Sequence, residues 1–142
     1  MHIAMIGSGY VGLVSGACFA DFGHQVTCVD KDARKIEALR RGEMPIYEPG
    51  LSDLVANNVR QGRLAFTTEL KEPVRDADAV FIAVGTPSRR GDGHADLTFV
   101  YDAAREVVQA IDGFTVVVTK STVPVGTGDE VERVMRQTRP DA

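Results

Sequence analysis

The chain is 142 residues long, with 44% hydrophobic and 25% charged residues, the size and composition of one globular domain. A formal net charge of −4 leaves no basic excess to neutralise a phosphate backbone, which excludes a nucleic-acid binder. No charged leader with a long apolar core precedes "MHIAMIG", and no apolar run approaches ~18 residues, so no membrane span is expected and the protein is read as soluble and cytoplasmic.

In chain order, "HIAMI" (2–6) predicts a strand and residues 10–22 a helix. "QVTCV" (25–29) predicts a second strand, followed by a helix over about 33–41; the basic cluster Lys31, Arg34, Lys35, Arg40 and Arg41 is local to this region. That cluster reads as a solvated helix face, with one or two members near a ligand phosphate or ribose. "GLSDLVANNVRQ" (50–61) predicts a further helix, "LAFT" (64–67) a short strand, 69–76 a short helix and "AVFIAV" (79–84) a buried strand. Over 97–111, Leu97, Val100, Tyr101, Ala104, Val107, Val108 and Ile111 share one helical face. "TVVVT" (115–119) is a β-branched strand, and Thr127 with Glu130 fits a capping box that opens a last helix. The polar loop "TPSRRGDGHAD" (86–96) is the least regular stretch.

Strand and helix alternating in this way imply parallel pairing through right-handed crossovers. The fold class is α/β: an open, doubly wound parallel sheet, Rossmann-like, of about five strands ordered 3-2-1-4-5 with helices on both faces. Strands covered on both faces need no alternation, which accounts for the apolar runs at 79–84 and 115–119. Cys18 and Cys28 lie in apolar segments without metal-ligand or C-x-x-C spacing and are expected to pack in the core. His2, His24 and His94 have no partners at ligand spacing, and no metal is expected.

Gly7, Gly9 and Gly12 stand at G-x-G-x-x-G spacing between the first strand and the first helix. The first glycine permits the tight turn, the second lets backbone approach a pyrophosphate, and the third lets helix and strand pack closely. Amides at the helix start, at Tyr10 and Val11, then face phosphate. The second strand runs into Asp30, at the place of the acid that binds the adenosine ribose; a carboxylate there accepts from both ribose hydroxyls and repels a 2′-phosphate. This favours NAD over NADP, although Lys31, Arg34 and Lys35 are cations that could receive such a phosphate. Two more loops, "VGTP" (Val84, Gly85, Thr86, Pro87) and "KSTVPVGT" (120–127, with Ser121 and Thr122), follow the fourth and fifth strands. Strand ends of this kind form one crevice at the switch point of an open sheet. Singly, Thr86, Ser121 and Thr122 are ordinary turn chemistry; their convergence on one crevice favours a ligand.

"GSGYVGLVSGACFADFGHQVTCVD", "PIYEPGL", "VGTPS" and "KSTVPVGT" resemble the amino-terminal NAD-binding part of the UDP-glucose/GDP-mannose dehydrogenase family, over essentially the whole chain. Tyr47 in "PIYEPGL" and the sequence "KSTVPVGT" lean toward the UDP-glucose members; GDP-mannose or UDP-aminosugar dehydrogenases are the alternative. The resemblance implies NAD-dependent, four-electron oxidation of a sugar C6 alcohol to a carboxylate. It implies cofactor contacts at Val11, Asp30, Lys35, Thr86 and Thr122, with Thr122 also positioning the catalytic water. It further implies that UDP-glucose is received by a part beyond this chain and that the full-length protein is a homo-oligomer. The family's catalytic cysteine and lysine and most sugar-nucleotide contacts lie further along, and neither Cys18 nor Cys28 matches that cysteine. Residues 1–142 are therefore read as a dinucleotide-binding fragment, inactive alone. A non-catalytic NAD-sensing module is the reading from another class; such a module has no need of "PIYEPGL" or of a water-positioning threonine.

Overall fold

The computed structural model describes residues 1–44, 49–84, 98–119 and 127–139. The elements are β1 (His2–Ile6), α1 (Tyr10–Asp21), β2 (Gln25–Val29), α2 (Ala33–Arg40), α3 (Leu51–Arg60), β3 (Leu64–Thr67), α4 (Lys71–Arg75), β4 (Ala79–Ile82), α5 (Thr98–Ala110), β5 (Val116–Thr119) and α6 (Thr127–Thr138). The strands form one parallel sheet in the order β3-β2-β1-β4-β5, the expected doubly wound arrangement.

Because strand side chains alternate between faces, β1 feeds two cores. Ile3 and Met5 join Val26, Cys28, Leu64 and Phe66 under α1, α2 and α3. Ala4 and Ile6 join Val80 and Ile82 against α4, α5 and α6. The chain thus winds one way from β1 through β2 to β3 and the other way through β4 to β5, so the reversal lies between β1 and β4. The register pairs Ile6 with both Val29 and Ile82, which brings the carboxyl ends of β1, β2 and β4 level. That levelling positions the site.

Several boundaries are shorter than the sequence suggests, for local reasons. β4 stops at Ile82, level with the end of β1 at Ile6, and the Ala83 amide donates to the Ile6 carbonyl at 2.7 Å. α4 is only five residues long and holds Pro73 in its first turn, where no intrahelical amide is required. Fully buried Asn58 on α3 donates to the Leu54 carbonyl and to Asp21, and accepts from Arg63, so that its amide ties α3 to the end of α1. The capping box at Thr127 and the segment around Tyr47 fall outside the described side chains.

Two expectations are corrected. Cys18 is exposed, because α1 turns Leu13, Ala17 and Ala20 inward and leaves position 18 on its outer side. Cys28 is buried as expected, and burial pushes its thiol up to about 12, so it stays protonated and inert. β5 is not covered on both faces: Val116 is exposed and Val117, Val118 and Thr119 are only half-buried, since β5 is the outer strand beside β4. Among the described residues no helix is long and apolar enough to cross a membrane.

Candidate functional site

The loops after β1, β2 and β4 meet at the level strand ends around a cavity of about 1000 Å³. That is the upper end of the range for small-ligand sites, about 300–1,000 Å³. Gly7, Ser8 and Gly9 form its floor; Asp30, Lys31, Asp32 and Lys35 form one wall, and Phe99, Asp102, Ala103 and Glu106 of α5 form the other.

The floor depends on backbone contacts that only glycine allows. Gly7 has φ +107°, which disfavours any side chain, and its amide donates to the Val29 carbonyl at 2.7 Å. A Cβ on Gly7 would lie 2.5 Å from the Ala83 carbonyl oxygen, and one on Gly12 would lie 2.0 Å from the Gly7 carbonyl oxygen. Gly12 therefore seats α1 on the glycine turn itself. A Cβ on Gly9 would meet nothing within 4 Å, so the space over this residue is open. α1 starts directly after Gly9 with no side-chain cap and no acidic residue in its first turn. Its leading amides and positive dipole end are left for an anion.

Asp30 is the most heavily engaged charge in the cavity. Its Oδ2 accepts from the Ser8 amide at 3.1 Å and the Ser8 hydroxyl at 2.8 Å, and its Oδ1 accepts from the Asp32 amide at 2.9 Å. Lys35 Nζ stands 3.6 Å from Oδ2. Partial burial raises the carboxyl's pKa, but the hydrogen bonds from Asp32 and Ser8, with the Lys35 charge, outweigh it and hold the group below its ordinary value of 3.8. A depressed folded-state pKa stabilises the fold at pH values above the unfolded pKa, and that stability is lost as pH falls through the folded one. Thermal midpoints should therefore fall below about pH 4, and Asp30→Asn should lose less over the same acid range. Equal acid losses in both proteins would mean that Asp30 contributes nothing to the decline.

Of the residues singled out in the sequence, Gly7, Gly9, Val11, Asp30, Lys35 and Val84 line this cavity and Gly12 supports its floor. Tyr10 opens α1. Gly85, Thr86, Pro87, Ser121 and Thr122 lie outside the described residues. Ser8 was not anticipated. It is fully buried, and it orients Asp30. The signal was present, because the Ile6–Val29 register sets a hydroxyl just past β1 beside the acid just past β2. The basic cluster is a largely solvated face, as expected, with Lys31, Arg34, Arg40 and Arg41 exposed, and some of its members make specific contacts. Arg40 places Nε and a terminal nitrogen on the Phe66 carbonyl at 3.0 and 2.7 Å, and Lys31 pairs with Glu106 across the cavity mouth.

The NAD binding domain of the UDP-glucose/GDP-mannose dehydrogenase family matches residues 1–141. The chain belongs to this family. It is 70% identical over 142 residues to a UDP-glucose 6-dehydrogenase of Rhizobium meliloti, covering all of this chain and 32% of that protein. It is 51% identical over 135 residues to the UDP-glucose 6-dehydrogenase TuaD of Bacillus subtilis, covering 95% of this chain and 29% of that protein. A ternary complex of GDP-mannose dehydrogenase from Pseudomonas aeruginosa superposes with a TM-score of 0.93 at 38% identity, over 99% of this chain and 33% of that one. The chain thus spans about a third of the length of these relatives.

As an NAD binding domain of this family, the cavity suits its ligand. Open space over Gly9 and the bare start of α1 suit a pyrophosphate, and ionised Asp30 suits a ribose. A carboxylate offers about four acceptor positions. Among the described residues Ser8 and Asp32 fill three of these at Asp30. Of the neighbouring cations, Lys35 faces Asp30 and Lys31 pairs with Glu106.

Proposed function

We propose that this chain is the cofactor-binding domain of a nucleotide-sugar 6-dehydrogenase that oxidises UDP-glucose to UDP-glucuronate with two NAD. The observation that carries this reading is the engaged Asp30 beside the Gly7–Gly12 turn in a cavity of about 1000 Å³. The 70% identity to a protein named UDP-glucose 6-dehydrogenase supports the choice of sugar. The overall change takes one C6 alcohol and one water to a carboxylate, passing two electrons to each of two NAD molecules. Bound NAD supplies the electron acceptor. The chain's own contribution is to bind and orient it, with Gly9, Val11 and the start of α1 toward the pyrophosphate and Asp30 on the ribose. Val84, Gly85, Thr86 and Pro87 after β4, with Ser121 and Thr122 after β5, are proposed as the remaining cofactor contacts, Thr122 also positioning water.

Neither cysteine lines the cavity: Cys18 is on the outer side of α1 and Cys28 is in the core. A nucleophile and the sugar-nucleotide contacts are accordingly assigned to sequence corresponding to the other two thirds of the relatives. The whole protein is proposed to be cytoplasmic and homo-oligomeric. The likeness to a GDP-mannose dehydrogenase at a TM-score of 0.93 is the specific observation behind a second reading, in which the sugar nucleotide is GDP-mannose.

Calorimetric titration with NAD, followed by an NADH absorbance assay, tests the proposal. The chain alone should bind NAD and produce no sustained NADH from UDP-glucose. Joined to the remainder of the Rhizobium meliloti relative, it should produce NADH from UDP-glucose in preference to GDP-mannose. A preference for GDP-mannose would install the second reading, and sustained turnover by the chain alone would reveal a catalytic group within it.

A further inference from the structure

The two walls of the cavity above the glycine turn carry lysines and carboxylates that face one another. Lys31 and Lys35 both line the cavity, as do Asp30, Asp32, Asp102 and Glu106. Lys35 Nζ is 3.6 Å from Asp30, and Asp32 caps α2 by accepting from the Arg34 and Lys35 amides at 3.0 and 3.4 Å. Asp102 faces Arg105 at 2.9 Å on its own helix. The remaining pair is long-range: Lys31, in the turn after β2, meets Glu106 on α5, 75 residues away in the chain. Lys31 immediately follows the carboxylate that faces the ribose. It is a cation within reach of a phosphate on that ribose, and Glu106 pairs with it.

We infer that Glu106 is a specificity-determining residue for the dinucleotide, excluding NADP by holding Lys31 away from a 2′-phosphate. This rests on the reading of the cavity as the NAD site and adds a second determinant to Asp30. Asp30 acts by direct repulsion; Glu106 acts through Lys31 and by its own charge. A pair this exposed, at 74% and 36% for the two side chains, contributes little to stability, so its consequence lies in where the charges are held. A 2′-phosphate carries close to two negative charges near neutral pH. Removing one carboxylate from its rim and freeing one ammonium should therefore shift its affinity roughly five- to tenfold.

The test is titration of NAD and NADP into the wild-type chain and into Glu106→Gln, Lys31→Met and the double variant. The expected result is a ratio of NADP to NAD affinity that rises roughly five- to tenfold in Glu106→Gln, shrinks toward the wild-type ratio at high salt, and falls back when Lys31→Met is added. Lys31→Met by itself, carrying an unpaired Glu106, should not raise the ratio. An unchanged ratio in Glu106→Gln with NAD still bound would overturn the inference and leave the NAD site standing. A rise that persists in the double variant would overturn the role of Lys31. Failure of every variant and of the wild type to bind NAD would overturn the reading of the cavity itself.

Discussion

Replacing Gly12 by Ala should destabilise the chain by about 3 kcal/mol or more, the upper end of what overpacking costs. The added Cβ would sit 2.0 Å from the Gly7 carbonyl oxygen, and that oxygen belongs to backbone and cannot rotate aside. Gly7 is itself fixed by the hydrogen bond its amide donates to the Val29 carbonyl and by its closeness to Ala83. Relief therefore requires α1 to lift from the turn, which would expose Leu13 and Ala17 and spoil the floor of the cavity together. A fall in the thermal midpoint of roughly 10 °C should accompany loss of NAD binding. Gly9→Ala is the informative contrast. Its Cβ enters open space, so stability should drop by about 1 kcal/mol or less while NAD affinity falls, because the methyl group occupies the approach to the pyrophosphate. Thermal unfolding and calorimetry on both variants decide. A Gly12→Ala protein that melts within about 2 °C of wild type would show that the loop is more compliant than its packing indicates.

Asp30→Ala should weaken NAD binding roughly ten- to hundredfold, by removal of a charged acceptor worth about 1.5–3 kcal/mol. It should weaken NADP binding less, because the same change deletes the charge that repels a 2′-phosphate and frees Lys35. The substitution also leaves the fully buried Ser8 amide and hydroxyl without their acceptor, at a cost of about 1–3 kcal/mol in stability. Asp30→Asn separates the two effects, since its amide oxygen can still accept from Ser8 while the charge is gone. Equal losses for NAD and NADP in both variants would remove Asp30 from the ribose.

The strand order was legible because the apolar runs alternate with helical faces, and such alternation admits few parallel topologies. The glycine turn and Asp30 were legible because their chemistry depends on spacing along the chain. Ser8 and Glu106 were harder to see. Ser8 is an unremarkable residue inside the motif until β1 and β2 are set side by side, and Glu106 looks like one more charge on an amphipathic helix. Each meets its partner on another element, Ser8 with Asp30 past β2 and Glu106 with Lys31 across the cavity mouth, 22 and 75 residues away in the chain. Cys18 was misread for a related reason: a hydrophobic segment does not by itself tell which side of α1 meets the sheet. The coverage of β5 was misjudged because an apolar β-branched run looks alike in a central and in an outer strand.

The glycine turn looks like a local feature, since it spans only residues 7 to 12, yet Gly7 is packed against Ala83 and the Ala83 amide closes on Ile6. During synthesis from the amino end, β1 emerges first and gains its first neighbour with β2, but its other flank stays bare until β4 has left the ribosome. Some fifty residues of helix and outer strand accumulate on one side before the second side can form. The nascent chain therefore carries the fingerprint long before it can grip a dinucleotide. On this order the glycine turn should become able to hold a dinucleotide only once Ala83, at the end of the strand that flanks β1 opposite β2, has joined it.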